Sequence, residues 1–132
     1  MTRDFDAIPR DLDEKANMIV NAAYNVHKEL GPGLLESVYE MCMCHELNKA
    51  GIPFQRQVSM PVIYDNVKLD AGLRIDILVD EKIVIELKTA EKMIPLYEAQ
   101  LLTYLKVTGL RLGFLINFNV PIIKEGIKRV VI

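Results

Sequence analysis

Apolar and polar positions repeat along this chain with two different periods, and the change of period marks out the elements. From Leu12 to Leu30, "LDEKANMIVNAAYNVHKEL", apolar residues fall near 16, 19, 20, 23, 26 and 30, the spacing of one helical face. Gly31-Pro32-Gly33 breaks it. A second helix is predicted from about Leu34 to Ala50, ended by Gly51 and Pro53. From Phe54 the period shortens to two. "FQRQVSMPVIYDNVKLDAGLRIDILV" reads as strands around a turn at Asp65-Asn66, and Ile83–Lys88 as a further strand. After Pro95, "LYEAQLLTYLKVTG" predicts a helix closed by Gly109. "LGFLINF" has the length and apolarity of a buried strand, and "GIKRVVI" reads as a last strand at an edge. The order is helix, helix, three strands, helix, one or two strands. It predicts a single mixed α/β domain over residues 1–132, with a central sheet flanked by helices and a loose leader over residues 1–10.

One stretch departs from apolar packing. In "RIDILVDEKIVIELKT", residues 74–89, Asp76, Glu86 and Lys88 stand inside strands. A three-residue loop at Asp80-Glu81-Lys82 makes opposite partners those whose numbers sum to 162. Ile75, Ile77, Val79, Ile83, Ile85 and Leu87 then share one apolar face, which a helix must cover. The other face pairs Leu78 with Val84, Asp76 with Glu86 and Arg74 with Lys88. The charges therefore gather at one end of the hairpin.

Carboxylates directly opposite, with Cβ atoms ~5 Å apart, destabilise a sheet. At an effective dielectric of 20 they repel by roughly 3 kcal/mol. Two arrangements offset that repulsion. In one, Lys88 neutralises Asp76, Arg74 neutralises Glu86, and the four form a surface network. In the other, a divalent cation such as magnesium, which needs only one or two protein carboxylates and keeps several waters, lies between them. On residue types alone the surface network stands slightly ahead.

Composition narrows the class. With 132 residues, 51% hydrophobic and 26% charged, the chain can bury a core without disulfide or metal staples. No apolar run approaches the ~20 residues that span a bilayer. The polar, acidic start has neither a secretory nor a transit pattern, so a cytoplasmic location away from membranes is expected. A net charge of −2 does not advertise a nucleic-acid binder. The average hides an asymmetry: residues 103–132 carry Lys106, Arg111, Lys124, Lys128 and Arg129 against Glu125, a balance of +4 that leaves −6 elsewhere. Cys42, Cys44 and His45 share a helix but point in different directions, which favours ordinary half-buried thiols over a metal site.

Asp76, followed ten residues later by Glu86-Leu87-Lys88, resembles the signature of the PD-(D/E)xK nuclease superfamily. That restriction-endonuclease-like core has a helix before a three-stranded meander, the Asp on its second strand, the E-x-K on its third, then a helix and a further strand. Ile75 stands where the family name has Pro. "GLLESVY", with Gly33, Glu36 and Tyr39, looks like the motif of the GxxExxY proteins assigned to that superfamily. Gln100 and Tyr104 form Q-x-x-x-Y, similar to the motif of RecB-like nucleases, and share a helix face at i, i+4. The resemblance runs from about Asn21 to Ile132.

The resemblance implies metal-dependent hydrolysis of phosphodiester bonds in nucleic acid, DNA ahead of RNA. Asp76, Glu86, the Leu87 carbonyl and Glu36 would hold Mg2+ or Mn2+, while Lys88 would orient the attacking water or stabilise the transition state. Gln100 and Tyr104 would position the substrate strand, with Lys106 and Arg111 as phosphate contacts. Nucleases of this fold often pair to cut two strands, so a homodimer is a further expectation. A nucleic-acid-binding or assembly module that keeps the fold without cleaving is the competing reading. The acidic balance favours it; the intact set of Glu36, Asp76, Glu86 and Lys88 opposes it. Plainer roles are expected for His27 as a satisfied structural histidine, and for Tyr39 and Tyr104 as partly buried residues with bonded hydroxyls.

Overall fold

The computed structural model describes residues 8–132, so residues 1–7 of the expected leader lie outside the described residues. Helix α1 spans Arg10–Leu30 and begins two residues before the apolar repeat, directly after Pro9. Asp11 and Asp13 in its first turn and Lys28 in its last match the helix dipole. Gly31 ends it at φ +69, a left-handed conformation that glycine adopts freely. Helix α2 covers Glu36–Lys49 and α3 covers Pro95–Thr108. Pro95 opens α3, where a missing N–H costs nothing, and Gly109 closes it in the left-handed conformation.

Five strands, β1 (Phe54–Tyr64), β2 (Val67–Val79), β3 (Ile83–Lys88), β4 (Leu112–Asn117) and β5 (Ile127–Val131), form one sheet in chain order. β3 and β4 are parallel because α3 carries the chain back between them; the other neighbours are antiparallel. β5 lies at an edge, as its short mixed pattern predicts. Asp65 and Asn66, both at positive φ, make the two-residue turn between β1 and β2.

Each face of the sheet carries a helical layer. Leu12, Ala16, Ile19, Ala23 and Val26 of α1 and Tyr39, Met43 and Leu47 of α2 pack on Ile77, Val79, Ile83, Ile85, Leu87 and Phe114. On the opposite face Leu101 and Leu105 of α3 pack with Leu73, Ile75, Leu78, Val84 and Leu115. The mixed sheet flanked by helices is thus the architecture read from the sequence.

The β2–β3 register is the expected one, with Val79 opposite Ile83, Leu78 opposite Val84 and Ile77 opposite Ile85. The loop lacks glycine, and Asp80 and Glu81 take the positive φ values instead. Asp80 is held there by its N–H bond to the Pro53 carbonyl, 2.8 Å, and by Lys15 at 3.2 Å. One expectation needs correction. Ile75 does not join Ile77 and Val79 but packs in the α3 layer. The change falls opposite Gln57, which stands between the pairs Arg56–Ile77 and Val58–Ile75 and has φ +50. A left-handed residue breaks the alternation of its own strand, so Phe54 of β1 packs in the α1–α2 layer while Val58 and Met60 pack in the α3 layer.

Candidate active site

The site lies where β2 and β3 part. Their backbone ladder runs from Val79–Ile83 to Ile77–Ile85. One step further, side chains take over the backbone groups. Asp76 Oδ2 accepts the Leu87 N–H at 2.9 Å, and Glu86 Oε1 accepts the Asp76 N–H at 3.4 Å. The sheet stays closed on its other side, because β3 remains paired with β4 through Lys88–Asn117. Each carboxylate is therefore locked to the strand that bears the other.

Glu86 is only 8% exposed, which excludes the surface network. Among the described residues neither Arg74 nor Lys88 forms an ion pair with Asp76 or Glu86. Arg74 Nε instead donates to Gln57 Oε1 at 2.6 Å, and Lys88 Nζ lies 4.5 Å from the centre of the Tyr97 ring. Burial first, and then the neighbouring Asp76 charge, push the Glu86 carboxyl up to about 8, with Lys88 pulling weakly the other way. A buried carboxyl raised this far beside a second one is a site short of positive charge.

The remaining candidates fall into two groups. Glu36, exposed at the start of α2, lies within reach of the Asp76 charge: partial desolvation, then that charge, hold its carboxyl above the usual range, with Lys88 opposing. Gln100 Nε2 donates to the Tyr104 hydroxyl at 3.1 Å across one turn of α3. Burial, then the Glu86 charge, raise the Tyr104 phenol, which places this helix face toward the carboxylates. Lys106 and Arg111 are not brought to them. Lys106 is exposed in the last turn of α3, on a different face from Tyr104. Arg111 precedes β4 at its Ile83 end, six extended residues or roughly 20 Å from Asn117 beside Lys88. Its Nε donates to the Ile132 carbonyl.

The donor set suits a hard divalent cation. Among the described residues no group of three or more His, Cys, Asp or Glu side chains is gathered to hold a metal. Two carboxylates with the Leu87 backbone are enough for an ion that keeps several waters, and the raised Glu86 carboxyl is the feature such a charge would relieve.

Sequence reasoning missed four residues that shape this site. Glu40, 6% exposed, accepts from Arg56 Nε and Nη2 at 3.1 and 2.9 Å and from Gln57 Nε2 at 2.6 Å. Gln57 Nε2 also approaches Asp76 Oδ1 at 3.4 Å. Asn117, fully buried, bonds both the N–H and the carbonyl of Ala90, which fixes the chain just beyond Lys88. The i, i+4 spacing of Glu36 and Glu40 was a readable signal for Glu40. Nothing local marks Gln57, Arg56 or Asn117.

The plainer expectations fit. His27 Nε2 lies 2.7 Å from the Val120 carbonyl. Tyr39 is buried, stacks on Phe118 at 4.5 Å, donates to the Gly31 carbonyl and accepts the Leu34 N–H. Cys42 and Cys44 are free thiols, and burial pushes Cys44 up to about 11, the state of an inert core thiol. Among the described residues no helix is long and apolar enough to cross a membrane.

A family model described as the PD-(D/E)XK nuclease superfamily matches residues 13–130. Neither the curated proteins nor the solved structures yield a match.

Proposed function

The chain belongs to the PD-(D/E)XK nuclease superfamily, and on that premise we propose that it is a metal-dependent nuclease hydrolysing phosphodiester bonds, with its site at the open end of the β2–β3 hairpin. The observation that carries this reading is the buried Glu86 carboxyl, raised to about 8, cross-bonded to Asp76 where the ladder ends. Superfamily members generally use divalent metals. Asp76, Glu86 and the Leu87 carbonyl would hold Mg2+ or Mn2+ here, with Glu36 on α2 near Asp76. When bound, the ion would lower the pKa of a water and neutralise charge on the phosphate.

The chain's own residues do the rest. Asp76 and Glu86 present acceptors at fixed positions, because each is tied to the opposite strand. Lys88, two residues beyond Glu86 on the same strand face, supplies a fixed cation to the charge that builds on phosphorus during in-line attack. Tyr97, under its ammonium, limits where that cation can lie. Gln100 and Tyr104 offer two polar groups on one helix face to the backbone of a bound strand. DNA is assigned ahead of RNA, and a cytoplasmic location and a homodimer able to present two sites to a duplex belong to the same reading. Assignment to the GxxExxY group draws support from Tyr39, whose hydroxyl ties the Gly31–Leu34 bend to the start of α2 next to Glu36.

Cleavage of a panel of labelled DNA and RNA with Mg2+ or Mn2+ tests this, comparing the wild type with Lys88→Ala and Asp76→Ala. Metal-dependent cleavage lost in both variants is expected. Cleavage that survives both would remove the assignment of the site. A second reading, a binding or assembly module without catalysis, draws on the net charge of −2 and on the lack, among the described residues, of a three-residue metal-binding cluster. It would gain if the wild type bound nucleic acid and cut none.

A further inference from the structure

We propose that Gln57 is a positioning residue for Asp76, an inference that rests on the reading of Asp76 as a cation ligand. Arg56 and Gln57 are consecutive in β1, and in a regular strand their side chains would point to opposite faces. Both nevertheless reach one carboxylate: Arg56 binds Glu40 Oε2, and Gln57 Nε2 binds Glu40 Oε1 at 2.6 Å. The φ of +50 at Gln57 is what allows this convergence. It is a costly conformation for a residue that carries a Cβ, and it persists because the surroundings fix it.

The amide has only one orientation that satisfies its neighbours. Arg74 can only donate, so Oε1 must face its Nε, at 2.6 Å. The amide nitrogen then faces Glu40 and Asp76, whose carboxylates accept. Asp76 is thereby steered on both oxygens, Oδ2 by the Leu87 N–H and Oδ1 by Gln57. Gln57 touches no reacting atom; it acts through the orientation of Asp76, as outer-shell partners orient metal-binding carboxylates. Glu40, with Arg56 behind it, anchors the amide from the side of α2.

The test compares wild type, Gln57→Gly and Gln57→Asn as full chains, by Mn2+ titration calorimetry and thermal melting. Glycine takes positive φ without strain, so Gln57→Gly keeps the backbone conformation and removes the side chain with its amide. Asparagine tolerates the same backbone region and restores an amide on a shorter stem. The expected result is Mn2+ affinity about tenfold weaker in Gln57→Gly, partial recovery in Gln57→Asn, and no fall in melting temperature. Unchanged affinity in Gln57→Gly would overturn the proposal. So would affinity and melting temperature falling together, which is the mark of a purely structural residue, or absence of Mn2+ binding by the wild type. Cleavage measured in parallel judges the nuclease reading separately. If the wild type cuts nothing but the affinity loss appears, Gln57 keeps its role and the nuclease reading falls.

Discussion

The two ends of the β2–β3 hairpin are built from the same strands to different purposes. At the turn end, Val79–Ile83 and Ile77–Ile85 are closed by backbone bonds, and their side chains are fully buried under α1 and α2. At the other end the ladder gives way to Asp76 and Glu86, whose carboxylates accept the Leu87 and Asp76 N–H groups. The closed end buries apolar surface. The open end buries a carboxyl that favours its neutral form. Stability is made at one end and spent at the other, and the left-handed Gln57 beside the open end adds strain of about 1–3 kcal/mol to the same account.

That division can be tested by breaking each end in turn. The largest effect on chemistry belongs to the open end. Asp76→Ala should abolish metal-dependent cleavage, and Lys88→Ala should lower kcat by about 100- to 1000-fold in single-turnover assays. Asp76→Ala also orphans the Leu87 N–H, so a destabilisation of about 1–3 kcal/mol should appear in denaturant melts. The closed end should show the opposite profile. Ile85→Ala empties a fully buried position and should cost about 2–5 kcal/mol, with Mn2+ affinity of the folded fraction unchanged.

Glu86 sharpens the contrast through pH. Its folded carboxyl titrates near 8 against an ordinary 4.5, so between those values the folded state binds more protons than the unfolded state. Without metal, stability should therefore be fullest below about pH 4.5 and fall as pH rises to about 8. Glu86→Gln removes that slope and should melt above the wild type at pH 8 while losing cleavage. The smallest change expected is Tyr104→Phe, which deletes the Gln100 contact on a half-buried face. A few-fold rise in KM with little change in kcat would fit a substrate-positioning hydroxyl.

The periodicity of the chain carried most of the fold. The helices, the strand order along the chain and the 162-sum register all follow from spacing that any reader of the sequence can count. Asp76, Glu86 and Lys88 stood out because they are charges in apolar strands. Ile75 was misplaced, and Gln57 was missed, at the same point of the β1–β2 ladder. A non-glycine residue at positive φ leaves no mark in the local sequence, and neither the change of face at Ile75 nor the convergence of Arg56 and Gln57 on Glu40 could be counted from period two. Arg111 and Lys106 looked available because their charge was visible and their distance from Lys88 was not; the parallel pairing of β3 with β4 sets that distance.

The most direct measurement is the number of protons released when Mn2+ binds at pH 7, read by calorimetry in two buffers of different ionisation enthalpy. A cation held by the open end must ionise Glu86, so release of close to one proton per ion is expected, falling to nearly none in Glu86→Gln. Binding without proton release, or release unchanged by Glu86→Gln, would show that the cation binds elsewhere and that the paired carboxylates are not its site.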